Sequence, residues 1–219
     1  TTQIPADRSS YGGIAVLRDL SEARLRQLVE SYPVGDPATG GDQAKIAALY
    51  RGFMDEASIE ALGAKPLAPH LAAIGAVKDK DGMAALMGQR NGGFGGSFFG
   101  VSVSDDARNP DRYALYMGQS GLGLSDRQMY LEDKFKPQRE RYQAYIAQML
   151  GLAGWPQPQQ SAAAILAMET RIAQAHWTRA ESRDRDKTYN PVTLAEMDAK
   201  APGFPWATFF DAAGVDHTE

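Results

Sequence analysis

FFGVSVSDDARNPDRYALYMGQSGLGLSDRQMYL, Phe98 to Leu131, holds the two strand-like runs of a chain that otherwise reads as helices. Phe98–Val103 and Tyr113–Met117 alternate apolar with small or polar residues and are rich in Phe, Val and Tyr, the pattern of a half-buried strand. The residues between them, Ser104–Arg112, carry Asp105, Asp106, Asn109 and Pro110, all turn formers. An antiparallel hairpin closed by a long loop is the expectation. Two strands alone are marginal in water, so the hairpin must lean on helices or on a further sheet.

Working outward, the downstream flank returns to helical spacing. Ser125 with Gln128 spells a capping box, which predicts a helix start there. Pro137 interrupts or restarts that helix, and Tyr142, Tyr145, Ile146, Met149 and Leu150 carry an apolar face on to Gly154. A long helix is predicted over Ser161–Glu181, with Ile165, Met168, Ile172 and His176 along one side. Thr193 and Glu196 form a second capping box for a short helix ending near Lys200. Pro205 and Gly214 bracket a last one.

Upstream, Asn91–Ser97 is glycine-rich, but neither GxGxxG nor GxxxxGK[ST] is spelled, so its glycines read as loop chemistry. Before it, two short helices are predicted around Leu67–Ile74 and Gly82–Gln89, the latter behind Asp81. A longer helix starts at the N-cap Asp42, carries Ile46, Leu49, Tyr50, Phe53 and Met54, and runs through Ile59 and Leu62 to stop at Gly63. The first helix carries Leu17, Leu20, Leu25, Leu28, Val29 and Tyr32, and Thr1–Gly13 leads into it. The fold class is therefore mainly α, a multi-helix domain with one antiparallel β-hairpin (about 98–103 and 113–117). Its parts are an extended lead-in (1–13), helices (14–97), the hairpin (98–118) and helices again (119–219).

Composition excludes several function classes. Apolar residues make up 43% of the 219, enough for a real core. The net charge of -4 argues against a nucleic-acid binder, which needs a basic face. No apolar run approaches the length that crosses a bilayer, and no signal-peptide pattern is present. The absence of cysteine removes disulfides, thiolate metal sites and cysteine nucleophiles together. The three histidines, His70, His176 and His217, include no pair at helical spacing, so no HExxH zinc motif is written here. No catalytic residue and no metal ligand is assigned from the residues. Asp105 and Asp106 read as turn aspartates, His176 as a structural histidine, and Arg179–Lys187 as a solvated loop or salt-bridge cluster. Arg8 and Arg18 become interesting only where a substrate carboxylate has to be held, which the arginine fork does well.

The order of several segments resembles the N-terminal half of the neprilysin-like zinc metallopeptidases, the family of neprilysin, the endothelin-converting enzymes and bacterial PepO-type peptidases. The segments are IPADRSSYG (Ile4–Gly12) with LRD (Leu17–Asp19), ALYRGFMDEASIEALG (Ala48–Gly63), FFGVSVSDDARNPDRY leading into GQSGLGLSDRQMYL, METRIAQAHWTRAESRD (Met168–Asp184) and KTYNPVTLAE (Lys187–Glu196). They cover almost the whole chain. Two departures stand out: Ser125 replaces the family's proline at the helix entrance, and the cysteines of animal members are missing, which fits a bacterial homologue.

The resemblance implies a helical lid or cavity wall for a zinc-dependent endopeptidase acting on peptides. The zinc, its HExxH histidines and the general base belong to a C-terminal catalytic domain outside this chain, which is the implied partner in the same protein or as a separate fragment. The chain itself would bind no cofactor and be inactive alone. A periplasmic or secreted location is implied as well. Aligning Tyr11-Gly12 and Leu17-Arg18 with the family places Arg18 on one of two arginines that hold the substrate's C-terminal carboxylate. The other falls at Ser10, with Arg8 nearby but out of register. The alternative reading is a free-standing helical binding module that has lost the protease half.

Overall fold

The computed structural model describes residues 3–8, 10–90 and 98–216, so the glycine-rich stretch Asn91–Ser97 and His217 lie outside the described residues. Eleven α-helices, three short 3-10 helices and one two-stranded antiparallel sheet make up the regular structure of these residues. They fall into two compact units, residues 1–63 and 64–219.

The first unit holds α1 (Gly13–Glu30), α2 (Gly41–Met54) and α3 (Glu56–Leu62). The single helix expected from Asp42 to Leu62 is two helices. Asp55 breaks it because its carboxylate accepts from Ser58 N–H at 3.0 Å and from the Ser58 hydroxyl at 2.6 Å, starting a new helix one residue past the end of the old one. Asp42 is not the cap: the helix begins at Gly41, and Asp42 sits in its first turn. Gly63 ends α3 as expected, at φ +52°, a conformation glycine adopts without penalty. Polar contacts join α1 to α2. Tyr50 Oη donates to Glu30 at 2.9 Å, a carboxylate that Arg26 of α1 also holds at 2.8 Å, and Arg51 donates at 3.2 Å to the carbonyl of Tyr32 just past α1. The apolar positions that predicted these helices are largely uncovered. Leu17 is 64% exposed, Leu49 and Phe53 are each 77% exposed, and only Ala44 and Ala47 are buried among the described residues of the unit.

The second unit has a genuine core. α4 (Ala68–Gly75) leads to α5 (Lys80–Arg90), which is capped by Asp79 through Gly82 N–H at 2.8 Å. Ala84 and Met87 of α5 pack on Phe209 and Phe210 of α11 (Trp206–Ala213). Gly88 allows that approach: a Cβ there would stand 2.3 Å from the Phe209 carbonyl oxygen. The hairpin leans on the same cluster. Phe99 and Val101 of β1 (Phe99–Asp106) and Leu115 and Met117 of β2 (Asn109–Gln119) pack against it. Phe99 makes edge contacts with Phe204 and Phe209 at centroid separations of 5.5 and 5.1 Å. Burying each such ring contributes roughly 1.5–3 kcal/mol. Helices within the chain thus supply what the two strands lacked. The same face continues past them, leaving Val103 and Tyr113 67% and 77% exposed.

The long hairpin loop is not formed. The strands run on to a tight turn at Ala107–Arg108, with pairing from Phe99↔Gln119 to Asp105↔Tyr113 and then, after an irregularity, Asp106↔Asn109. Pro110, which has no N–H to give, falls within that irregularity. Asp106 holds the turn. Only 4% exposed, it accepts from Arg108 N–H at 2.9 Å, from the Arg112 guanidinium at 2.7 and 2.9 Å, and from Tyr189 Oη at 2.9 Å.

Beyond the hairpin lie α6 (Gln128–Leu131), α7 (Lys136–Leu152) and α8 (Pro158–Ala175). The box expected at Ser125 is not made. Ser125 Oγ turns to Met129 Sδ, and Asp126 accepts from Gln128 N–H at 2.8 Å instead. Pro137 restarts the chain as α7. α8 stops at Ala175, six residues before its expected end, so His176 caps it and does not lie on its face. The cause is remote in sequence: the Gln119 amide donates to the Trp177 carbonyl at 3.3 Å and accepts from its N–H at 2.9 Å. The chain then passes through α9 (Arg185–Thr188) to α10 (Leu194–Lys200), whose Thr193–Glu196 capping box is fully formed, and on to α11, ended by Gly214 at φ +69°.

Candidate functional site

The two arginines singled out in the sequence have different surroundings. Arg8 Nη1 reaches both oxygens of Asp19, at 3.0 and 2.9 Å, and the guanidinium lies over the Tyr11 ring, 5.2 Å from its centroid. Tyr11 Oη donates to the same carboxylate at 2.9 Å. The hydrogen bonds from Tyr11 and Arg8 hold Asp19 below the usual carboxylate range, and the Asp19 partnership raises the Tyr11 phenol. Arg8 is therefore engaged by its own chain. Arg18, on α1, is 60% exposed and touches Asp19 and Glu22 only loosely, at 3.9 and 3.8 Å. It lines a cleft of about 390 Å³ with Ser10, Gly12, Gly13, Ile14 and Ala15. Arg8 does not line this cleft, and Ser10, at the position aligned with the family's other arginine, does.

The second unit has a cleft of about 450 Å³ built from the end of β2, the GLGLSDR segment and the residues after α8. Gln119, Leu122, Leu124, Asp126, Arg127, His176, Trp177, Arg179 and Arg183 are in its wall. Asp126 pairs with Arg179 and is held below the usual carboxylate range, first by its bond from Gln128 N–H. Arg127 Nε donates to the Ala173 carbonyl at 3.1 Å.

A buried network fixes the GLGL segment that forms this wall. Leu124 N–H donates to Tyr130 Oη at 2.8 Å, Tyr130 Oη donates to Glu169 Oε2 at 2.7 Å, and Tyr142 Oη donates to Glu169 Oε1 at 3.0 Å. Burial pushes both phenols up, Tyr142 to about 12. Glycine is required at 123, where a Cβ would fall on the Tyr142 hydroxyl. Sequence reading missed this network. Its one local signal is Glu169 itself, a charge four residues after Ile165 and three before Ile172 on an apolar stripe.

Among the described residues no group of three or more His, Asp or Glu side chains could hold a metal ion. His176 lines the cleft that Asp126 also lines, two such side chains and not three, and His70 lies in α4. Zinc therefore does not fit the described residues, and no catalytic step is routed through it.

The family follows from comparison. The N-terminal model of Peptidase family M13 matches residues 1–219, and the chain belongs to that family. Mouse endothelin-converting enzyme-like 1 is 30% identical over 223 residues, covering 95% of this chain and 28% of that protein. Bovine endothelin-converting enzyme 1 is 30% identical over 225 residues, with the same coverage. The inhibitor complex of the Mycobacterium tuberculosis zinc metalloprotease Zmp1 superposes with a TM-score of 0.84 at 32% identity, covering 98% of this chain and 33% of that one. The open state of Zmp1 gives a TM-score of 0.79 at 33% identity, covering 96% and 33%. The chain thus spans less than a third of the length of these curated relatives.

Proposed function

We propose that this chain is the N-terminal lid or cavity wall of a zinc-dependent endopeptidase that hydrolyses peptides. The zinc ligands and the general base lie in a catalytic domain contributed by the rest of the protein, in cis or as a separate fragment. The chain alone is inactive, and the parent enzyme works in the periplasm or outside the cell. The match to the M13 N-terminal model over all 219 residues, with relatives more than three times as long, is the observation that carries this reading. The exposed apolar side chains of α1, α2 and α3, Leu17, Leu49 and Phe53 among them, support it, because exposed apolar surface is where partners bind. No helix among the described residues is long and apolar enough to cross a membrane.

In this reading the chain's own residues bind and exclude. The helices shield the reaction from bulk water, and Arg18 holds the carboxylate of a short peptide at the cleft by α1. The test is complementation. The chain alone should cleave no peptide. Chain plus the remaining part of the protein, co-expressed or mixed, should cleave peptides, and a chelator should stop it. Cleavage by the chain alone, or failure of the two parts to associate and act, would refute the proposal.

A further inference from the structure

The 450 Å³ cleft of the second unit carries more positive charge than its structural role uses. Three arginines and one aspartate are in its wall. Asp126 is taken up by Arg179 and by Gln128 N–H. Arg127 is tied through Nε to the Ala173 carbonyl. Arg183 has no ion pair or side-chain hydrogen bond among the described residues, although it stands in the short 3-10 turn Glu181–Arg183, which the Thr178–Glu181 bonds hold at 2.7 and 2.9 Å. The nearby Glu181 carboxylate accepts from the Thr178 N–H and hydroxyl and makes no ion pair with Arg183 among the described residues. The backbone that presents the arginine is fixed as well, because Gln119 clamps Trp177 from the end of β2.

We propose that this cleft binds an acidic peptide segment, with a side-chain carboxylate in the Arg183 fork. The planar arginine fork loses less freedom per hydrogen bond than a lysine, and charge-assisted bidentate pairs are the stronger hydrogen bonds. The remaining wall explains why the ligand is a peptide and not a bare anion. Leu122, Leu124 and the 42%-exposed Trp177 offer apolar surface for methylene groups, and the cavity is much larger than a phosphate needs. The proposal does not rest on the proteolytic reading, since the binding requires no turnover.

The test is calorimetric titration of the 219-residue chain with Ac-Glu-Glu-Glu-NH₂ and with Ac-Gln-Gln-Gln-NH₂. The acidic peptide should bind saturably, and at least tenfold more tightly than the amide peptide. Arg183→Gln should weaken it tenfold or more, Arg183→Lys should give an intermediate loss, and Arg171→Gln, on α8 outside the cleft wall, should change nothing. Circular dichroism checks that each variant is folded, and Arg183→Lys supplies the comparison should the glutamine variant not fold. Equal binding of the two peptides, or wild-type affinity in both Arg183 variants, overturns the proposal. So does inorganic phosphate binding as tightly as the acidic peptide, which would make this a simple anion site.

Discussion

Tyr130 Oη donates to Glu169 Oε2 at 2.7 Å, and this bond joins the one-turn helix α6 to the middle of α8. The same phenol accepts the Leu124 N–H, so it relays between a backbone donor and a buried carboxylate. Removing it leaves both groups short of a partner inside the fold. Tyr130→Phe should therefore destabilise the chain by about 1–3 kcal/mol, read from the urea midpoint. Tyr142→Phe should cost less, because it removes a single donor at 3.0 Å from a more exposed position. A Tyr130→Phe variant as stable as wild type would mean that the network contributes nothing.

Asp106 gives the fold an acid limit. Arg108 N–H, Arg112 and Tyr189 lower its pKa from 3.8 to about 2. A carboxylate with a depressed folded-state pKa adds stability above its ordinary value, and that stability is lost as the pH falls toward 2. Wild type should lose stability steadily between about pH 4 and pH 2, and Asp106→Asn should show a flatter profile there. Denaturation midpoints at several pH values compare the two, and parallel curves would remove Asp106 from the account.

Two helical glycines should respond in opposite senses. At Gly88 a methyl group meets the Phe209 carbonyl oxygen at 2.3 Å and Ala212 Cβ at 3.0 Å, so Gly88→Ala should push α5 and α11 apart and cost about 1–3 kcal/mol. Gly52 in α2 has nothing within 4 Å, so Gly52→Ala should stabilise by up to about 1 kcal/mol through helix propensity alone. Thermal unfolding of both variants decides it, and a stabilised Gly88→Ala would refute the packing argument.

In the peptidase proposed above, Arg18 and Arg8 should separate in a peptide assay of the complete protein. Arg18→Ala should raise KM severalfold for short peptides with a free C-terminal carboxylate and leave amidated peptides unchanged. Arg8→Ala should not discriminate between the two, because its guanidinium is spent on Asp19. An equal KM effect of Arg18→Ala on free and amidated peptides would remove Arg18 from carboxylate recognition.

The elements that were legible in the sequence are those whose cause is local. Thr193 and Glu196 cap α10 with each other, Pro137 starts α7, and Gly63 and Gly214 end helices in a conformation that favours glycine. The break at Asp55 was equally local, an aspartate with a serine three residues on, and was readable there. The candidacy of Arg18 rests only on the resemblance carried by its neighbours Tyr11-Gly12 and Leu17. The burial of Glu169, and the lack of an ion pair for Arg183 among the described residues, were not legible, since both depend on residues far away in the chain.

By itself, then, the sequence determined the mainly helical class, the existence and pairing of one hairpin, and the family, because caps, turn residues and segment order are written in neighbouring letters. Tertiary structure alone decided where α8 stops, how far the strands run and which charges are left unpaired. Gln119 must reach Trp177, Tyr189 must reach Asp106, and Asp126 must pair with Arg179. The first two contacts span 58 and 83 residues, and their hydrogen bonds outweigh local preferences worth only tenths of a kcal/mol per residue.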